Sequence, residues 1–79
     1  MKNEKVHLGI DVSKKKLDMF NPVTNQIITL DNGVASFRKI RDIARKYGAI
    51  VCCEPTGGFE LEMVLFLQEH DIPVAYCDG

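Results

Sequence analysis

Apolar and polar residues alternate from Val6 to Val12. Val6, Leu8, Ile10 and Val12 are apolar, and His7, Gly9 and Asp11 stand between them. A period of two marks a β-strand with one face turned to a core. Ser13-Lys14-Lys15-Lys16 reads as a polar turn, after which Leu17-Asp18-Met19-Phe20 resumes the extended pattern as far as Asn21-Pro22. Asn-Pro breaks the run, and Thr24-Asn25 adds a second turn signal. Gln26 to Leu30, with β-branched Ile27, Ile28 and Thr29, predicts a third strand. Three short strands joined by short turns suggest an antiparallel meander.

The period then changes. From Val34 to Tyr47, Phe37, Ile40, Ile43, Ala44 and Tyr47 share one helical face, and Arg38, Lys39, Arg41, Asp42, Arg45 and Lys46 fill the opposite arc. Asn32 or Asp31 is available to cap the start of this amphipathic helix, and Gly48 is placed to end it. Ala49-Ile50-Val51-Cys52-Cys53 is a continuous apolar run, as expected of a strand buried on both faces. Glu54-Pro55-Thr56-Gly57-Gly58 follows as a loop, with Thr56 placed to cap a second helix over about Phe59 to His70. The polar residues of that helix form no single broad face, so much of its surface should be covered. Asp71-Ile72-Pro73 breaks it, and Val74 to Cys77 is a last short strand. The order β-β-β-α-β-α-β predicts an α/β fold: a mixed sheet with helices packed on it.

The chain has 79 residues and a formal net charge of -1. That length bounds it to one domain with a thin core. No apolar run approaches the roughly 18–20 residues of a spanning helix, and no signal-peptide core follows Met1. Cys52, Cys53 and Cys77 are odd in number and lack Cys-x-x-Cys spacing, which argues against a disulfide framework or zinc site and fits a reducing cytoplasm. The near-zero charge is an average of unlike halves. Residues 1–48 hold all ten Lys and Arg against five acids, and residues 49–79 hold six acids and no Lys or Arg. Such asymmetry directs attention to a nucleic-acid surface on the first half.

Asp11 and Glu54 end two apolar strands that this topology sets side by side, and ligands of such sheets bind beyond the carboxyl ends of parallel strands. Two carboxylates converging on one crevice repel each other, and a bound cation relieves the repulsion. Hard oxygen donors with open positions suit Mg²⁺ or Mn²⁺. A purely structural reading makes Asp11 a turn residue and Glu54 a helix cap.

Gly9-Ile10-Asp11-Val12-Ser13-Lys14-Lys15-Lys16-Leu17-Asp18-Met19-Phe20, followed 43 residues after Asp11 by Glu54-Pro55-Thr56-Gly57-Gly58-Phe59-Glu60, resembles the N-terminal domain of insertion sequence 110 family transposases, which include the Piv-type DNA invertases. The resemblance covers nearly the whole chain. It implies an RNase H-like, RuvC-like fold with a DEDD tetrad, in which Asp11 matches the first acid and Glu54 the second. It also implies two-metal phosphoryl transfer on DNA, with Asp11 bridging both metals and Glu54 holding one. The family's other two acids lie in an Asp-x-x-Asp helix beyond the last strand here, and neither Asp18 nor Asp78 stands in for them. The ending Tyr76-Cys77-Asp78-Gly79 departs from the family's Asn-Pro type of ending. The chain is therefore expected to be truncated before the final helices, to carry half an active site and to be inactive alone. The family further implies a bacterial or archaeal cytoplasmic protein with a separate C-terminal serine-containing domain and a structured guide RNA.

Lys14, Lys15 and Lys16, close after Asp11, are placed to grip a phosphate backbone, or else simply to solubilise a turn. Arg38, Arg41 and Arg45 offer a second nucleic-acid surface, or else a solvated helix face. A face left open by truncation would favour a homo-oligomer. Two other readings remain: a nucleic-acid-binding module without chemistry, and the first half of an actin- or sugar-kinase-like ATPase domain. The latter also opens on Gly-Ile-Asp and a hairpin, but needs a Gly-Thr-type phosphate loop where Val12 to Lys16 stand. His7 and His70 are not expected to be ligands. Cys52 and Cys53, on opposite sheet faces, read as core filling.

Overall fold

The alternation in the first half produces three six-residue strands, β1 (His7–Val12), β2 (Lys16–Asn21) and β3 (Gln26–Asp31). The computed structural model describes residues 5–77, so Asp78 lies outside the described part. The Ser13 and Asn25 turns join the strands into the expected meander. Asn21 Oδ1 accepts the Val23 N–H at 3.0 Å, and Asn25, in the left-handed region at φ 58°, donates its N–H to the Asn21 carbonyl at 2.7 Å. Asn tolerates that conformation better than most residues.

Helix α1 (Val34–Tyr47) has the bounds that its period predicts. Gly48 ends it at φ 60°, a left-handed value that costs glycine nothing, and the Ala49 N–H returns to the Ala44 carbonyl at 2.8 Å. The start differs from expectation. Gly33 is the N-cap, with no side-chain cap bond, because Asp31 is paired with Lys16 and the Asn32 side chain is bonded elsewhere. Strand β4 (Ile50–Cys53), helix α2 (Leu61–Glu69) and strand β5 (Val74–Tyr76) complete the chain.

The five strands form one mixed sheet in the order β3-β2-β1-β4-β5, with β1, β4 and β5 parallel and the meander antiparallel. One core joins Leu8, Ile10, Leu17, Met19, Val51 and Cys53 of the sheet to Phe37, Ile40 and Ala44 of α1 and Met63 and Leu67 of α2. Both helices therefore cover the same face. The other face carries His7, Gly9, Asp11, Asp18, Phe20, Ile27 and Cys52, residues that are exposed or only partly covered. This corrects the expectation of a doubly buried β4: Val51 and Cys53 are buried, and Ile50 and Cys52 are intermediate. The covered second helix is also corrected. It starts at Leu61 rather than near Phe59, and it leaves Leu61 and Leu65 more than half exposed.

Candidate carboxylate site

Parallel pairing of β1 with β4 aligns Gly9 with Cys52 and Ile10 with Cys53. The next positions are Asp11 and Glu54, on adjacent strands about 4.8 Å apart. Side chains alternate, and Ile10 and Cys53 point into the core, so Asp11 and Glu54 belong to the open face. Both are exposed, and both line a cavity of about 560 Å³ together with Gly9, Asp18, Cys52 and Thr56. Gly9 leaves the floor flat, and a Cβ there would meet no atom within 4 Å.

Asp18, set aside at the level of sequence, lines this cavity too. It lies directly across the β1–β2 ladder from Asp11, and like charges so placed are unfavourable. The Thr29 hydroxyl donates to Asp18 Oδ1 at 2.6 Å. Among the described residues, no three of His, Cys, Asp and Glu close around one point to hold a metal ion. The charged donors, Asp11, Asp18 and Glu54, offer oxygen only and are exposed on an open side, with the Cys52 and Cys77 thiols also on the lining. That suits a hydrated hard cation held by few protein ligands.

Glu60 is the residue that the pattern of the second helix concealed. It is 5% exposed, yet no cation stands beside it among the described residues. Its Oε1 accepts from the Thr56 hydroxyl at 2.6 Å, the Thr56 N–H at 3.1 Å and the Gly58 N–H at 3.3 Å, and its Oε2 accepts from the Tyr76 hydroxyl at 3.1 Å. These bonds, the Thr56 hydroxyl foremost, hold the carboxyl down at about 2. Thr56 accordingly does not cap α2; its hydroxyl is committed to Glu60, which itself occupies the N-cap position. Gly58, at φ 122°, turns its N–H toward the carboxylate through a conformation that L side chains rarely adopt. The signal in the sequence was an acid four residues after a threonine across Gly57-Gly58.

The cations separate into engaged and free groups. Lys16 pairs with Asp31 at 2.8 Å. Lys14 and Lys15 are exposed in the hairpin after Asp11, with no ion pair among the described residues. Arg41 donates to Asp42 at 3.0 Å and lies over the Phe66 ring, and Arg45 donates to the His70 carbonyl at 3.2 Å. Arg38 is exposed. These arginines ride on α1, across the sheet from the cavity, so they do not extend the surface of the Lys14–Lys15 hairpin.

His7 is exposed at the opposite end of β1, and the His70 ring stacks on Phe66. Cys53 is buried. Partial burial, then a hydrogen bond with the free Cys77 thiol, pushes the Cys52 thiol up to about 11, which makes it a poor nucleophile. Among the described residues, no helix is long and apolar enough to cross a membrane. Compared with known proteins, the chain matches no family model and, at a significant level, no curated sequence.

Proposed function

We propose that this chain is the N-terminal part of the catalytic domain of a DNA transposase or recombinase resembling the insertion sequence 110 family, with an RNase H-like fold. The observation that carries the reading is the β1–β4 register, which sets Asp11 and Glu54 on neighbouring strand ends facing one cavity. A purely structural role for these acids leaves unexplained why three carboxylates border the same hollow and why its floor is a glycine.

Asp11 and Glu54 would hold Mg²⁺ or Mn²⁺, which when bound supplies Lewis acidity for phosphodiester cleavage and strand transfer. The protein's own contribution is positional. Asp11 extends a rigid central strand, Glu54 opens a loop fixed by Glu60, and Lys14 and Lys15 stand beside the crevice as phosphate contacts. DNA is the partner in this reading. A guide RNA belongs to it as a property of the full-length family, and a homo-oligomer as a property of this chain. With two of the family's four acids, the 79 residues alone should not cut DNA.

The test is cleavage of labelled DNA by the full-length protein with and without Mg²⁺. Metal-dependent cleavage that disappears in Asp11→Ala and in Glu54→Gln is expected. Cleavage that survives Asp11→Ala overturns the assignment. Efficient Mg²⁺-dependent cleavage by residues 1–79 alone would contradict the half-site argument.

A further inference from the structure

Asn32 stands between β3 and α1, where the sequence places a helix cap, but its side chain serves another purpose. Nδ2 donates to the Ser13 carbonyl at 3.0 Å and to the Phe59 carbonyl at 3.1 Å. The Asn32 backbone N–H adds a third bond, to the Lys15 carbonyl at 2.8 Å. Ser13 lies two residues beyond Asp11, and Phe59 lies in the segment that Glu54 opens. One amide group thus ties together the loops that follow the two carboxylates. Both partners are carbonyl oxygens, which only accept, so the amide nitrogen must face them. An aspartate of the same size could not replace it, since its ionised side chain has no proton to donate.

The second loop is gripped from its other side by Glu60, through Thr56 and Gly58. Asn32 is therefore the link that sets this already braced loop in a fixed position relative to the hairpin after Asp11. The pairing of β1 with β4 aligns the strands only up to Ile10 and Cys53. Beyond that point Asp11 stays in the β1–β2 ladder opposite Asp18, but no β1–β4 pairing ties the segment after Cys53 to it, and the Asn32 bonds make that connection.

We propose that Asn32 is a positioning residue for the carboxylate pair, stapling the Ser13–Lys16 hairpin to the Glu54–Glu60 loop and so fixing the separation of Asp11 and Glu54. This rests on the reading of those two acids as a metal-holding pair. Groups that orient metal ligands from behind typically change metal affinity by about 10–100-fold when removed.

The test uses ¹⁵N-labelled chain carrying Asn32→Ala, with Asn32→Asp as a second variant that keeps the size and the backbone bond. Ile72→Val, a conservative change in the core at the far end of α2, serves as the stability control. Without metal, backbone order parameters should fall together at residues 13–16 and 56–59 in both Asn32 variants, while β1 and β4 keep theirs. On Mn²⁺ titration, affinity at Asp11 and Glu54 should weaken about 10–100-fold in both variants and stay unchanged in Ile72→Val. Loss of order confined to residues 31–34 overturns the staple, as does undiminished Mn²⁺ affinity in variants whose loops have loosened. Absence of any Mn²⁺ effect in the unsubstituted chain rejects the metal reading instead. The metal-free comparison then decides the staple alone, and loops that stay ordered in both variants reject it.

Discussion

At Glu60 a carboxylate is nearly buried among donors: a hydroxyl and two backbone N–H groups on one oxygen and a phenol on the other. Protonation would remove charge from the acceptor of all four bonds. Its carboxyl, ordinarily near 4.5, is held at about 2, so the unfolded chain takes up the proton first as the pH falls. The stability it contributes is full above about pH 4.5 and is lost as the pH falls toward 2. Thermal unfolding followed from pH 6 to 2 should show Tm falling through that window. Glu60→Gln should lower Tm at pH 6 and flatten the fall, and an unchanged acid limb in the variant would contradict this account. The role was hard to read from sequence because a helical pattern assigns each residue to a face. Glu60 sits at the N-cap, before the pattern begins, and its partners come from the loop and from β5. The same limitation hid Asn32 and Thr56. Each has the chemistry of a helix cap, and each spends its side chain on the loops around the carboxylates.

The elements themselves were legible where one period dominates. Helix α1 has the predicted bounds because its apolar stripe is continuous from Phe37 to Tyr47 and Gly48 ends it. Helix α2 is shorter and less covered than its pattern predicts, since apolar residues on several sides suggest burial, whereas only Met63, Val64 and Leu67 are buried and Phe66 packs against the core in part. Its end is set by Asp71, which takes φ 62° so that the Ile72 N–H can return to the Leu67 carbonyl at 2.9 Å. A left-handed conformation costs a non-glycine residue about 1 kcal/mol, partly offset by the greater freedom that glycine has in the unfolded chain. Asp71→Gly is accordingly expected to stabilise the chain by no more than about 0.5 kcal/mol in urea unfolding. A loss of stability would show that the Asp71 side chain makes a contribution of its own.

For the whole molecule, the chain order β-β-β-α-β-α-β implied a mixed sheet with β1 beside β4, and that pairing is present. Which face the helices take was not legible. Leu8, Ile10 and Val12 alternate with Gly9 and Asp11, which announces two unlike faces in β1, but the apolar run of β4 announces none. In the folded chain both helices lie on one side, and the carboxylates on the other, next to Phe20 and Ile27. The division of charge along the chain is not repeated at the cavity: two of its three carboxylates, Asp11 and Asp18, come from the basic half, and Glu54 alone comes from the acidic one.

The central claim is that Asp11 and Glu54 act together on a divalent cation. It is tested most directly by Mn²⁺ titration of the ¹⁵N-labelled chain, with paramagnetic broadening read residue by residue. Broadening should centre on Asp11 and Glu54, extend to Asp18 across the ladder, spare His7 and α1, and diminish strongly in both Asp11→Asn and Glu54→Gln. No broadening at millimolar Mn²⁺, or broadening that is centred elsewhere or unaffected by either substitution, would contradict the account.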